Sequence, residues 1–160
     1  MYQYTYDPLN RLVAAVHGED IKRYRYDELG NRTRQWRGKK YDTYDANPWT
    51  THTYNKRNQL IKTLEPTITN DHEIATTTRE YRYDKRGNMT AIIENSQPKT
   101  RYTFDATNRM ITAVTYGIGT AEYTYNGFMN RVKKLESLNP NQSAAAVPDP
   151  CNEIHYSKRH

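Results

Sequence analysis

The sequence is poor in most of what ordinary domains use to hold themselves together. It has one cysteine in 160 residues, so an internal disulfide framework is excluded. Only 35% of its residues are hydrophobic and the mean hydropathy is −1.10, which leaves little material for a thick apolar core. No apolar run approaches the ~20 residues of a membrane-spanning helix, and no signal peptide opens the chain. These absences argue against a disulfide-stapled domain and against helical membrane spans.

Tyrosine is what the chain has in excess, with 15 residues against 2 Phe and 2 Trp. A tyrosine combines a large apolar ring with a hydroxyl that needs water or a partner. Disordered segments are poor in aromatic residues, so this composition argues against disorder in spite of its polarity. It favours thin, two-faced β-sheets.

A short motif recurs six times along the chain. Its clearest copies read YRYDELGN at 24–31 and YRYDKRGN at 81–88. The second aromatic residue of each copy stands at 6, 26, 54, 83, 104 and 125. Neighbouring copies are 20 or 21 residues apart, except for the two central gaps of 28 and 29. Self-similarity of this kind is typical of repeat proteins.

Each repeat is predicted to be a strand, a turn and a returning strand. Tyr-x-Tyr places two rings on one face of a strand, and the Asp or Asn that follows can start a turn through its side chain. Three residues later, Gly30 and Gly87 are expected to take the left-handed conformation of a type I turn with one extra residue. Asn10, Asn58 and Asn108 hold the same slot. Met129 holds it in the last repeat, where we expect a different turn.

The returning strands are apolar on both faces. Strict alternation predicts that Leu60 and Leu64 share one face, as do Met110 and Val114, while Ile61 lies on the other. Six hairpins give about twelve strands, too many for a flat open sheet without curling. The predicted fold is therefore all-β, with tandem hairpin repeats in a curved antiparallel sheet over residues 1–138.

Three segments are predicted to lie outside this regular pattern. The residues that lengthen the central gaps, 40–48 and 65–73, contain proline and turn formers and are predicted to be elongated loops. Residues 139–160 are interpreted as a Pro- and Ala-rich linker followed by a truncated tail.

The sequence offers only weak candidates for catalytic or metal-binding residues. Cys151, His155 and His160 could be written as a metal site, but structural zinc usually needs four ligands. The recurring aspartates Asp7, Asp27, Asp84 and Asp105 suit turns better than acid–base catalysis, because a catalytic pair has no reason to repeat with the fold. We expect no catalytic, cofactor-binding or metal residues, and no enzyme activity; binding residues stay unassigned.

Two binding functions stay open as alternatives. The net charge is +6, but 24 basic residues are scattered among 18 acidic ones, so a solvated strand surface is favoured over nucleic-acid binding. The densest basic stretch is 32–40, with Lys133 and Lys134 a second group. Exposed tyrosines could also stack on sugars, although aromatic pairs stabilise sheets in any case.

The array resembles the YD repeats of Rhs (rearrangement hot spot) proteins, which include bacterial wall-associated and polymorphic-toxin proteins. The likeness rests on Tyr6-Asp7, Tyr26-Asp27, Tyr83-Asp84 and Phe104-Asp105, each with Gly or Asn three residues on. It implies a segment of a β-shell that encloses a C-terminal toxin, in a secreted or cell-surface parent protein. The Rhs core signature is missing, since Asp149-Pro150 is followed by Cys151 and Asn152, so no autoproteolytic residue is assigned.

The ends of the array are expected to be adhesive. Strands at the edge of a sheet present unpaired backbone groups that can pair with another chain, and repeat proteins need polar capping units. The sequence at 1–4 begins directly in a predicted strand, whereas charges at Arg131, Lys133 and Lys134 protect the other end. We therefore expect self-association through sheet edges, or ordering against the rest of the parent protein.

Overall fold

The computed structural model describes residues 1–40, 42, 48–69 and 73–138, and these residues form β-strands and no helix. The strands are β1 (Tyr2–Tyr6), β2 (Leu12–His17), β3 (Asp20–Tyr26), β4 (Arg32–Lys39), β5 (Thr50–Tyr54), β6 (Leu60–Ile68), β7 (Ile74–Tyr83), β8 (Met89–Glu94), β9 (Gln97–Phe104), β10 (Met110–Thr115), β11 (Gly119–Tyr125) and β12 (Arg131–Leu138). The predicted linker and tail at 139–160 lie outside the described residues.

The chain divides into two compact units, residues 1–80 and 81–160. In the first unit every strand pairs antiparallel with the next one in sequence, from β1 through to β7. In the second unit the same meander runs from β8 to β12. The prediction of an all-β fold built from tandem hairpins is confirmed.

The buried core is very small, as the composition predicts. Among the described residues, the only buried hydrophobic side chains are Ile21, Trp36 and Ala91, and Trp36 is 2% exposed. Trp36 lies across Gly38, where a Cβ would come within 2.6 Å of Trp36 Cζ2, so only glycine leaves room for the indole. The sheet is therefore thin.

A β-bulge follows the turn in five hairpins and changes which residues share a face. Opposite Tyr54 stands Leu60, but opposite the preceding Thr53 stands Lys62, so Ile61 is the extra residue. The same shift occurs after Leu12, Arg32, Met110 and Arg131. Because two residues of the bulged strand oppose one of the partner, strict alternation fails here. The prediction that Leu60 shares a face with Leu64 is wrong: Leu60 lies with Thr63.

The prediction for Met110 is wrong for the same reason. Met110 stands opposite Phe104, whereas Val114 stands opposite Arg101, and these two positions of β9 point to opposite faces. The bulge thus separates Met110 from Val114.

Part of the second long gap is strand and not loop. Residues 65–68 belong to β6 and pair with β7, with Pro66 opposite Thr76, so the loop predicted for them is wrong; residues 70–72 lie outside the described residues. Proline is tolerated in an edge segment, where its missing N–H costs no ladder bond. Beyond Leu64 the described part of β6 pairs with β7 alone, so Pro66 satisfies that condition. In the first gap, where a loop was predicted at 40–48, β4 ends at Lys39, and residues 41 and 43–47 lie outside the described residues.

Every residue of β1 and of β12 is exposed. Self-association through these strands stays a prediction. Within the described residues there is no helix long and apolar enough to cross a membrane.

Candidate functional site

Six five-residue turns repeat one geometry along the chain. In each, the N–H of the first residue donates to the carbonyl of the fifth (2.9–3.0 Å), and the N–H of the fourth donates to the carbonyl of the first (2.9–3.2 Å). The turns occupy residues 7–11, 27–31, 55–59, 84–88, 105–109 and 126–130. Each turn is therefore closed by its own backbone before any neighbour contributes.

The fourth residue of every turn is left-handed. Gly30 has φ 85° and Gly87 has φ 95°, which confirms the prediction for both. Met129 has φ 65° and its turn contains the same two backbone hydrogen bonds, so the expectation of a different last turn is wrong. The repeated hydrogen bonds impose the left-handed conformation on a residue that resists it.

The side chain of the first residue ties the turn together. Asp105 Oδ1 accepts hydrogen bonds from the N–H groups of Thr107 (2.8 Å) and Arg109 (3.0 Å). Asn126 makes the equivalent bonds to the N–H groups of Phe128 and Asn130, both 3.0 Å. An amide oxygen therefore replaces the carboxylate. Asx side chains bond forward in this way, as predicted for the repeated aspartates.

The role of the fifth residue was missed by sequence reasoning. Arg109 Nε donates to the second carboxylate oxygen of Asp105 (2.7 Å), and Arg11 does the same to Asp7 (2.7 Å). Asn31 and Asn88 bond their aspartates at 3.0 and 2.9 Å. The available signal was that a long or amide side chain always stands four residues after the Asp or Asn.

These hydrogen bonds lower the pKa of the turn aspartates. For Asp7 and Asp105 the largest cause is the N–H of the fifth residue, Arg11 or Arg109, and for Asp27 it is the Asn31 side chain. For Asp84 desolvation raises the pKa, but the bonds from Asn88 and Arg86 outweigh it and the net shift is downward. The carboxylates are thus held ionised, as hydrogen-bond acceptors in turns require. A general acid would need the opposite shift.

Consecutive turns are joined into a ladder within each unit. In the first unit, the guanidinium of Arg11 donates to the carbonyl of Asp27 (2.9 Å), and the Asn31 amide donates to Asn58 Oδ1 (3.2 Å). The second unit repeats this contact, with the Asn88 amide donating to Asn108 Oδ1 (3.0 Å). Hydrogen bonds therefore link all three turns of the first unit in series, and they link the turns at 84–88 and 105–109 in the second unit.

The second tyrosine of a repeat anchors it to the repeat before. Its hydroxyl donates to the carbonyl of the first residue in the preceding returning strand. These bonds join Tyr26 to Leu12 (2.8 Å), Tyr54 to Arg32 (3.0 Å) and Tyr125 to Met110 (2.8 Å). Phe104 stands at the same position and has no hydroxyl to donate.

The guanidinium groups of several arginines stack on tyrosine rings. The guanidinium carbon lies over the ring in the pairs Arg32–Tyr24 (4.4 Å), Arg11–Tyr26 (4.9 Å), Arg109–Tyr125 (4.9 Å) and Arg131–Tyr123 (5.2 Å). Contacts at these distances are attractive. Four of the arginines and four of the tyrosines are thus engaged with one another within the sheet.

The described residues contain no group of three His, Cys, Asp or Glu side chains that could hold a metal ion. Cys151, His155 and His160, considered above as ligands, lie outside the described residues. The four turn aspartates are each engaged by their own turn.

The family model of the teneurin YD-shell matches residues 1–146. Among solved structures, the chain is similar to a structure of the Photorhabdus luminescens Tc holotoxin pore with mutant TccC3. The match has 19% identity and a TM-score of 0.52, and covers 88% of this chain and 9% of the other. A crystal structure of TcdB2–TccC3–TEV matches at 18% identity with a TM-score of 0.44, covering 88% of this chain and 9% of that one. No curated protein matches the sequence.

The chain spans about a tenth of the length of the solved chains it matches, 9% in each case. The family match covers most of its residues, and the turns, anchoring tyrosines and meander order account for that match in physical terms. The chain belongs to the teneurin YD-shell family. It is a structural segment of a YD-repeat shell.

Proposed function

We propose that this chain is a non-catalytic wall segment of a shell that encloses a C-terminal toxic polypeptide of the same parent protein, secreted or held at the bacterial surface. The observation that carries the proposal is the hydrogen-bonded turn ladder. This ladder links neighbouring turns at one edge of each unit. The conspicuous side chains of the motif are therefore engaged in hydrogen bonds within the sheet itself.

A shell wall must resist opening while presenting little apolar surface to its contents. The turns supply the first property, since each has two backbone bonds and an Asx bond of its own. The polar composition, with only 35% hydrophobic residues, supports the second.

Limited proteolysis of the parent protein tests this proposal. The polypeptide that follows the repeats should stay intact under protease concentrations that degrade it when expressed alone. A double variant, Asp27→Ala with Asp105→Ala, removes the Asx bonds from one turn in each unit and should accelerate cleavage. Asp27→Asn with Asp105→Asn is the matched control, because Asn126 forms the same turn bonds.

Equal cleavage of the enclosed and the free polypeptide would refute encapsulation. The two alternative functions have their own readouts on the 160-residue chain. Selective binding on a glycan array would favour a carbohydrate module, and steeply salt-dependent binding to DNA or RNA would favour a nucleic-acid module.

A further inference from the structure

A depression of about 400 Å³ opens on one face of the first unit. The apolar part of its lining, called the floor below, includes Val13, Val16 and Ile21, and Arg23, Arg25 and Trp49 also line it. Ligand clefts in proteins generally span ~300–1,000 Å³ and combine an apolar lining with a few polar groups. Neither the turn ladder nor the tyrosine anchors use these side chains.

Strand register brings three guanidinium groups to this face. Arg23 and Arg25 are two residues apart on β3 and therefore point the same way. Arg34 of β4 stands directly opposite Arg25. The partners across the flanking strands are uncharged, with Ala14 opposite Arg23 and Thr51 opposite Arg34.

The Arg25–Arg34 pair is unfavourable for the sheet alone. Like charges directly opposite each other on neighbouring strands destabilise a sheet. Neither residue enters a salt bridge with any part of the chain that the structure describes, although Arg25 stacks on Trp49 at 4.9 Å. By contrast, Lys39 is paired with Asp20 at 2.7 Å, and the other like-charge pair of these two strands, Lys22 opposite Arg37, lies on the face away from the depression. The two guanidiniums are thus arranged to receive an anion.

We propose that this depression binds an acidic polypeptide segment, with a Glu or Asp carboxylate between Arg25 and Arg34 and an adjacent apolar side chain on the floor of Val13, Val16 and Ile21. Guanidinium groups bind carboxylates through paired, charge-assisted hydrogen bonds. The apolar floor beside them distinguishes a peptide from a nucleic acid, whose phosphates would need charge along a stripe. Single-strand readers also offer a free aromatic face, whereas Arg25 lies over Trp49.

Fluorescence anisotropy of a labelled, capped hexapeptide of alternating Glu and Leu tests the proposal on the 160-residue chain. Binding should weaken with added salt and fall at least ~10-fold when Leu is replaced by Ser or Glu by Lys. The double variant Arg25→Gln with Arg34→Gln should also lose at least ~10-fold in affinity, the scale of one lost charge-assisted bond. Its melting temperature should change little, because the variant removes both the repulsion between Arg25 and Arg34 and the contact of Arg25 with Trp49.

Arg37→Gln is the matched control, since Arg37 lies on the same strand but points to the opposite face, across from Lys22. It should bind the peptide as the unmodified chain does. Three results would each overturn the proposal: no binding of the Glu–Leu peptide at millimolar concentration, equal losses in the control and the double variant, or full displacement of the peptide by an oligonucleotide of the same charge. The last would make nucleic acid the occupant.

Discussion

Replacing Tyr125 by phenylalanine isolates the contribution of one anchoring hydroxyl. The hydroxyl donates to the carbonyl of Met110 at 2.8 Å, in a partly buried position. The substitution keeps the aromatic ring and its contact with Arg109, which lies 4.9 Å from the ring centre. Phenylalanine fits the site, because Phe104 occupies the same position one repeat earlier. Only the hydrogen bond is lost.

The expected cost follows from that single bond. An intramolecular hydrogen bond contributes about 0.5–1.5 kcal/mol net to the free energy of unfolding. For a chain of this size, 1 kcal/mol corresponds to a fall of about 2–4 °C in melting temperature. The reverse change, Phe104→Tyr, should stabilise the chain by up to about 1 kcal/mol, since its hydroxyl would meet the carbonyl of Met89 at the start of β8.

Urea denaturation followed by circular dichroism measures these changes. The midpoint should shift while the slope stays constant, since the surface exposed on unfolding is unchanged. Tyr123→Phe is the control. Tyr123 lies in the same strand with Arg131 over its ring at 5.2 Å, and its hydroxyl has no hydrogen-bond partner among the described residues. That variant should stay within ~0.5 kcal/mol of the parent chain.

A Tyr125→Phe variant as stable as Tyr123→Phe would refute the anchoring role of the Tyr125 hydroxyl. A Phe104→Tyr variant destabilised by as much as Tyr125→Phe would show that the position is not equivalent between repeats.

Four other outcomes are expected. Gly30→Val should lower the free energy of unfolding by about 1–3 kcal/mol, measured by urea denaturation. The cost comes from the backbone, because φ is 85° at Gly30 while a side chain would meet no neighbouring atom; no loss would refute the turn assignment. Met129→Asn should gain about 1 kcal/mol in the same assay by relieving a left-handed methionine, and a loss would contradict this. Asp105 has its pKa lowered from 3.8, so its ionised form stabilises the fold above pH 3.8 and this is lost as pH falls further. The melting temperature of Asp105→Asn should therefore vary less below pH 4, and an unchanged profile would count against it. The pKa of His52 is lowered from 6.5 mainly by desolvation, and the positive charge of Arg32 lowers it further. An NMR titration of His52 with a midpoint above pH 6.5 would show this to be wrong.

The turns were predictable because their signals are local. The Asp side chain, its forward bonds and the left-handed slot lie within five residues, so Gly30 and Gly87 could be assigned from spacing alone. Met129 was not predictable in this way, because a propensity says what a residue prefers and the surrounding hydrogen bonds decide what it adopts. Pro66 misled for the same reason: its local preference is for a turn, and an unpaired strand edge accommodates it.

Simple alternation could not predict which face of the sheet each side chain of a returning strand occupies. A bulge is a property of the hydrogen-bond register between two strands, and nothing in the residues at 60–62 marks it. The anchoring bonds of the tyrosines were equally invisible, since each joins residues in different repeats, as with Tyr54 and Arg32, which are 22 positions apart. The pairing of Arg25 with Arg34 likewise depends on register.

The two ends of the hairpins differ in how much change they can absorb. At the turn edge every connection has the same five-residue form. At the opposite end, the connections run from two residues between β2 and β3 to five between β6 and β7 and ten between β4 and β5. Insertions and deletions at those ends leave each turn, and its bonds to the next, untouched. An engineer who wished to display a peptide on this wall would graft it between β8 and β9, at Asn95 and Ser96, and leave the turns unaltered.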